Sequence, residues 1–136
     1  MPKQIFVNLP VSDLPKAKAF YEAIGAVNNP KFSDGTSACM VLSETIFVML
    51  LTHNKWTQFT NKPIADAHHA SEVMLALSAD DRKAVDAIVN LAGANGGKAD
   101  VNPQQDHGFM YGRSFEDTDG HIWETFFMDQ SQTPQG

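Results

Sequence analysis

Only one cysteine, Cys39, stands in the 136 residues, so no disulfide can form within the chain. Its surroundings, SACMVL, hold no basic neighbour to activate a thiol, and it is expected to be a small buried hydrophobe. Basic residues are also few. Ten Lys and Arg stand against 16 Asp and Glu, for a net charge of -6, and no Lys/Arg cluster occurs. An acidic chain without a basic patch has no footprint for a phosphate backbone or an anionic lipid surface, so neither nucleic acid nor membrane is an expected partner. No apolar run approaches the ~20 residues that span a bilayer. MPKQIFVNLP lacks the apolar stretch and cleavage site of an export signal, and the cytoplasm is the expected compartment. His-x-x-x-His, Cys-x-x-Cys and Gly-rich phosphate loops are missing. The five histidines are scattered; His107, in QQDHGF, is the one expected nearest a cavity mouth.

What is present is a repetition. Asp13 opens a stretch that runs to Gly25-Ala26, and Asp81 opens one that runs to Gly93-Ala94, 68 positions on. Between these marks Ala17, Phe20, Tyr21 and Ile24 correspond to Val85, Ile88, Val89 and Ala92. Each set is an apolar face at helical spacing. Each Asp can take the orphan amides of a first turn, and Pro15 fits the first turn of the first copy. Gly25 supplies a left-handed helix end, and Gly93, Gly96 and Gly97 are expected to break the second helix after Ala92. A strand-like run precedes each mark, Lys3 to Val11 and Glu72 to Ala79. Two or three strands are predicted between Phe32 and Leu51, with a turn at Asp34-Gly35. Strands are predicted at 98–102, 108–115 and 121–128, with a turn at Asp119-Gly120.

The predicted architecture is therefore α+β: two tandem βαβββ modules whose mostly antiparallel sheets curve around a central cavity. One domain is expected over residues 1–136. Module one covers 1–52, a linker 53–70, module two 71–129 and a frayed tail 130–136. The linker, HNKWTQFTNKPIADAHHA, is expected to pack Trp56 and Phe59, with room for a short helix. A hollow between duplicated units is a common place for a small ligand.

Three stretches carry a resemblance to a known family. They are VSDLPKAKAFYEAIG from Val11 to Gly25, the repeated unit itself, and FEDTDGHIWETFF from Phe115 to Phe127. The last matches an Asp-x-x-Gly-x-x-x-Glu ending. Together they resemble the vicinal oxygen chelate superfamily, also called the glyoxalase/bleomycin-resistance/extradiol dioxygenase superfamily, over nearly the whole chain. Its catalytic members hold a divalent metal in four slots, one on the first and last strand of each module. The ion polarises adjacent substrate oxygens. The resemblance places those slots here at Phe6, Val48, Met74 and Glu124, with Val48 taken from aligning TIFVMLL with HIWETFF. Only Glu124 among them is a hard donor. The expected metal ligands are therefore none, and no cofactor is expected. The resemblance also implies a homodimer.

Around Glu124 the expected site is largely apolar. Ile122, Glu124 and Phe126 share one strand face, and desolvation there would fit the acid for general-base work. Asn8 shares a face with Phe6 and offers an amide. Tyr111 and Arg113 share a face; Arg113 would bind an anion through its planar fork or pair with Glu116, Asp117 or Glu124. The expected ligand-binding set is Phe6, Asn8, Val48, Met74, Tyr111, Arg113, Ile122 and Phe126, with Glu124 catalytic if the chain is an enzyme. Met40, Met49, Met74 and Met110 would soften the interior. Three functions follow. The first is a glyoxalase/bleomycin-resistance-like protein that binds a small apolar molecule, as bleomycin-resistance members sequester theirs. The second is a lyase or dioxygenase with a divalent metal held by Glu124 and His107 or Asn8. The third is a metal-free acid–base enzyme that uses Glu124.

Overall fold

The computed structural model describes residues 2–129 and Ser131. The expected frayed tail, 130–136, lies outside the described residues apart from Ser131. The first copy runs through β1 (Ile5–Val11), α1 (Leu14–Ala23), β2 (Val27–Asn29), β3 (Ser37–Val41), β4 (Ile46–Thr52) and the short α2 (His53–Trp56). The second runs through β5 (Met74–Ser78), α3 (Arg82–Ala94), β6 (Lys98–Ala99), β7 (Gln105–Asp106), β8 (Met110–Glu116) and β9 (Ile122–Met128). The chain divides between Ala70 and Ser71 into two units, and the fold is α+β.

The two aspartates start their helices as their spacing predicts. Asp13 Oδ1 accepts the Lys16 amide at 3.1 Å, and Asp81 Oδ1 accepts the Ala84 amide at 2.7 Å. Ala17, Phe20 and Tyr21 of α1 and Val85, Val89 and Ala92 of α3 are buried. α1 ends at Gly25, whose φ of +111° is open to glycine at no steric cost. Gly93 does not break α3, contrary to expectation. The helix continues through it to Ala94; a β-carbon there would come 3.2 Å from Ala99 Cβ, so glycine lets β6 approach.

In the first unit the strand order is β1-β4-β3-β2, and in the second the path is β5-β9-β8-β6, with β7 also on β8. First and last strands of each unit are parallel neighbours, and the other pairs are antiparallel. α1 lies against β3 and β4, and α3 against β8 and β9. Each sheet thus has a helix-covered face and a face away from its helix.

The turn at Asp34 forms because its carboxylate takes the amides of Thr36 and Ser37, at 2.7 and 3.0 Å. Cys39 is buried, and burial pushes its thiol pKa up, so it stays protonated. β2 lies outside the predicted strands, being only three residues long. The strand predicted at 98–102 stops at Ala99, since Asp100 turns into the left-handed region at φ +56°. In the linker Trp56 is half-buried, but Phe59 is not packed: it is 70% exposed, with the Lys55 ammonium 5.6 Å from its ring centre.

Candidate functional site

β8 and β9 pair in a register that sorts their side chains cleanly. Ser114 faces Glu124, Gly112 faces Phe126 and Met110 faces Met128. Alternation puts these six on one face and Tyr111, Arg113, Phe115, Trp123 and Thr125 on the other. α3 covers the second set: the Tyr111 hydroxyl donates to Asp86 Oδ1 at 2.6 Å, and Arg113 reaches both Asp86 and Asn90. β5 lies parallel on the other side of β9, with Ala76 against Glu124.

The face away from α3 holds a cavity of about 310 Å³. Its floor is Ala76, Met110, Gly112, Ser114, Glu124, Phe126 and Met128. Asn102 and Pro103 of the loop after β6 and Gln105 of β7 wall it. Ser114 pins that loop: its Oγ accepts the Asn102 amide at 2.8 Å, and its carbonyl accepts the Asp100 amide at 2.7 Å. Glu124 is half-buried in this largely apolar surround, and its carboxylate has no hydrogen bond or ion pair among the described residues.

The structure brings together only part of the expected site. Glu124 and Phe126 line the cavity, and Met74 pairs with Ile122 on the same face beyond its edge. Tyr111 and the Arg113 side chain belong elsewhere. Arg113 borders the cavity, but its guanidinium donates to Asp100 at 2.9 and 2.7 Å and to Asp86 at 2.9 Å. Its acidic partners are thus Asp86 and Asp100 rather than Glu116, Asp117 or Glu124, which the sequence offered. His107 is exposed and hydrogen-bonds Gln105 at 3.0 Å rather than lining the cavity.

In the first unit, Phe6 and Asn8 lie on the face away from α1. Phe6 stacks on Phe47 at 4.5 Å, and Asn8 pairs with Met49. Val48 does not join them. It pairs with Val7 and is fully buried on the α1 side, with Leu50. Met49 stands to Asn8 as Glu124 stands to Ala76, so the fourth slot is Met49. The sequence alignment slipped by one residue, and one residue flips the face.

On the α3 side, Arg82 ties α3 to β7, and Arg113 ties β8 to α3 and to the loop after β6. Arg82 forks onto Asp106 at 2.9 and 3.0 Å and lies 4.9 Å from the Tyr111 ring centre. The Arg82 hydrogen bonds hold the Asp106 carboxyl down at about 2, from an ordinary 3.8. Asp100 is lowered first by Arg113, and Asp86 first by the Tyr111 hydroxyl and then by Arg113. A carboxylate lowered in the fold stabilises it above the unfolded value and loses that contribution as pH falls through the folded one. The stability of the second unit is therefore expected to hold down to about pH 4 and to fall progressively toward about pH 2. Hydrogen exchange of residues 100–108 across that range checks it; protection unchanged at the acid end would contradict it.

The superfamily metal would need hard donors on these strands. The four slots that the resemblance implies, with Met49 in place of Val48 by strand register, carry one carboxylate, Glu124, among three apolar side chains, Phe6, Met49 and Met74. Among the described residues no three His, Cys, Asp or Glu side chains come together as a metal-ligand group. The residues present do not fit the four-donor centre.

Comparison with known proteins agrees with this fold. The Glyoxalase/Bleomycin resistance protein/Dioxygenase superfamily model matches residues 3–125. The chain belongs to that superfamily. A hypothetical protein from S. aureus is 26% identical, with a TM-score of 0.76 over 93% of this chain and 95% of that one. A glyoxalase-related enzyme from Fulvimarina pelagi has a TM-score of 0.77 at 18% identity, covering 100% of this chain and 94% of its own. The fosfomycin resistance protein FosX from Mesorhizobium loti has a TM-score of 0.67 at 16% identity, covering 97% of each. The last two likenesses are of fold. No curated protein matches.

Proposed function

We propose that the protein binds a small, largely apolar molecule in the cavity floored by Glu124, without the superfamily's usual metal centre. One observation carries the reading. A pre-formed hollow of about 310 Å³, mostly apolar and with a single partnerless carboxylate on its floor, is how small-molecule sites are commonly built. Family membership supports the same use, and the mismatched donor set supports a metal-free site. Sequestration is the function we assign. Metal-free acid–base chemistry is the second reading, favoured by the same carboxylate, which is free to take a proton from a bound carbon acid or hydroxyl.

Ala76 tests the location. It is exposed, sits against Glu124 and lines the cavity, so Ala76→Phe should fill the hollow without disturbing the core. In a thermal-shift screen of apolar fragments, those that raise the melting temperature of the wild type should have no effect on the variant. A binding fragment contributes roughly 2.7 kcal/mol at a hundredfold excess over its Kd, which is easily resolved. Fragments that stabilise both proteins equally would place binding outside this cavity.

A further inference from the structure

The cavity is one-sided in charge. Glu124 is the one acid among its lining residues and Arg113 the one base. Arg113 cannot answer Glu124, because its guanidinium is turned to the α3 side and committed to Asp86, Asp100 and Asn90. Ser114 lies directly across from Glu124, yet its hydroxyl is spent on Asn102, accepting the amide at 2.8 Å and donating to the carbonyl at 3.3 Å. The Glu124 carboxyl group thus stands beside Phe126, Met110 and Met128, with no protein cation to meet it among the described residues. A neutral ligand would leave that carboxyl group without a counter-charge, and an anionic one would bring no cation to it either.

We infer that the ligand class is a small apolar amine, protonated at neutral pH, whose ammonium pairs with Glu124 while its apolar body lies on Phe126, Met110 and Met128. The inference rests on the binding reading above and narrows it. Phe126 is two residues from Glu124 on the same strand face, so its ring can also receive the cation. The methionines give an adaptable wall, which suits a class of amines better than one compound.

Three probes with one body separate the charges: 4-phenylbutylamine, 4-phenylbutan-1-ol and 4-phenylbutanoate, titrated by calorimetry. The amine should bind at least about tenfold tighter than the alcohol, and the carboxylate weakest, since a hydrogen bond to a charged partner is worth that much. Glu124→Gln should erase the gap between amine and alcohol while leaving the alcohol's affinity within about twofold. Equal affinities of amine and alcohol for the wild type, or a carboxylate that binds tightest, would overturn the amine class and leave an apolar binding site standing. Binding by none of the three would overturn the amine class, and with the fragment screen also blank the binding reading would fall too. The wild-type comparison decides the matter even if the variant does not fold.

Discussion

Replacing Arg113 with leucine is expected to lower the melting temperature by roughly 10 °C, the largest effect of any single side-chain change near the cavity. The residue is 12% exposed and bridges three elements: it holds Asp86 and Asn90 on α3 and Asp100 in the loop that walls the cavity. Leucine preserves much of the packing but leaves Asp86 and Asp100 facing a site with no counter-charge. Both carboxylates are nearly half exposed, at 46% and 44%, so water screens part of the loss. Allowing for that, the cost is about 2 kcal/mol. Asp100 also sits in the left-handed region, which aspartate tolerates better than most residues but at some steric cost. With its clamp gone, Asn102 and Pro103 should loosen, and affinity for cavity ligands should fall together with stability. Arg113→Lys should recover only part of either, because an ammonium cannot fork onto Asp100. Thermal denaturation by circular dichroism decides this; a shift below about 2 °C would show that the network adds little.

The second large effect is a contrast between neighbours. Val48→Asn should destabilise the first unit by about 3 kcal/mol or more, since it places an amide without a partner in a fully buried position. Met49→Asn should cost no more than about 1 kcal/mol, because that side chain is half-buried on the opposite face. Denaturant unfolding of the two variants measures the difference. Equal costs, or a reversed order, would mean that β4 presents the other set of side chains to α1.

Most local signals in the chain were faithful, Gly93 as a helix breaker excepted. Asp13 and Asp81 became helix caps, the two apolar stripes became buried helix faces, and Glu124 and Phe126 fell on one strand face, because capping and periodicity depend on residues within a turn or two. What failed was non-local. Tyr111 and Arg113 were correctly placed on a common face, but only the packing of α3 decides that this face looks away from the cavity. Val48 was chosen over Met49 by aligning two apolar runs, whereas the slot is fixed by hydrogen-bond register with β1. Asn102 and Pro103 carry no periodic signal, being loop residues brought to the cavity by Ser114 and Arg113, and Gln105 comes from the two-residue β7 held on β8. Met110, Gly112, Ser114 and Met128 had a usable signal: once Glu124 is assigned to the cavity, period two along β9 gives Met128, and the antiparallel pairing gives the other three.

The most direct test of the whole account is a titration of isotope-labelled protein with 4-phenylbutylamine, followed by amide NMR shifts. Saturable shifts centred on Ala76, Gly112, Ser114, Glu124 and Met128, absent in Ala76→Phe, are the expected result. Saturable shifts confined to the first unit around Phe6 and Asn8, or no saturable shifts, would contradict it.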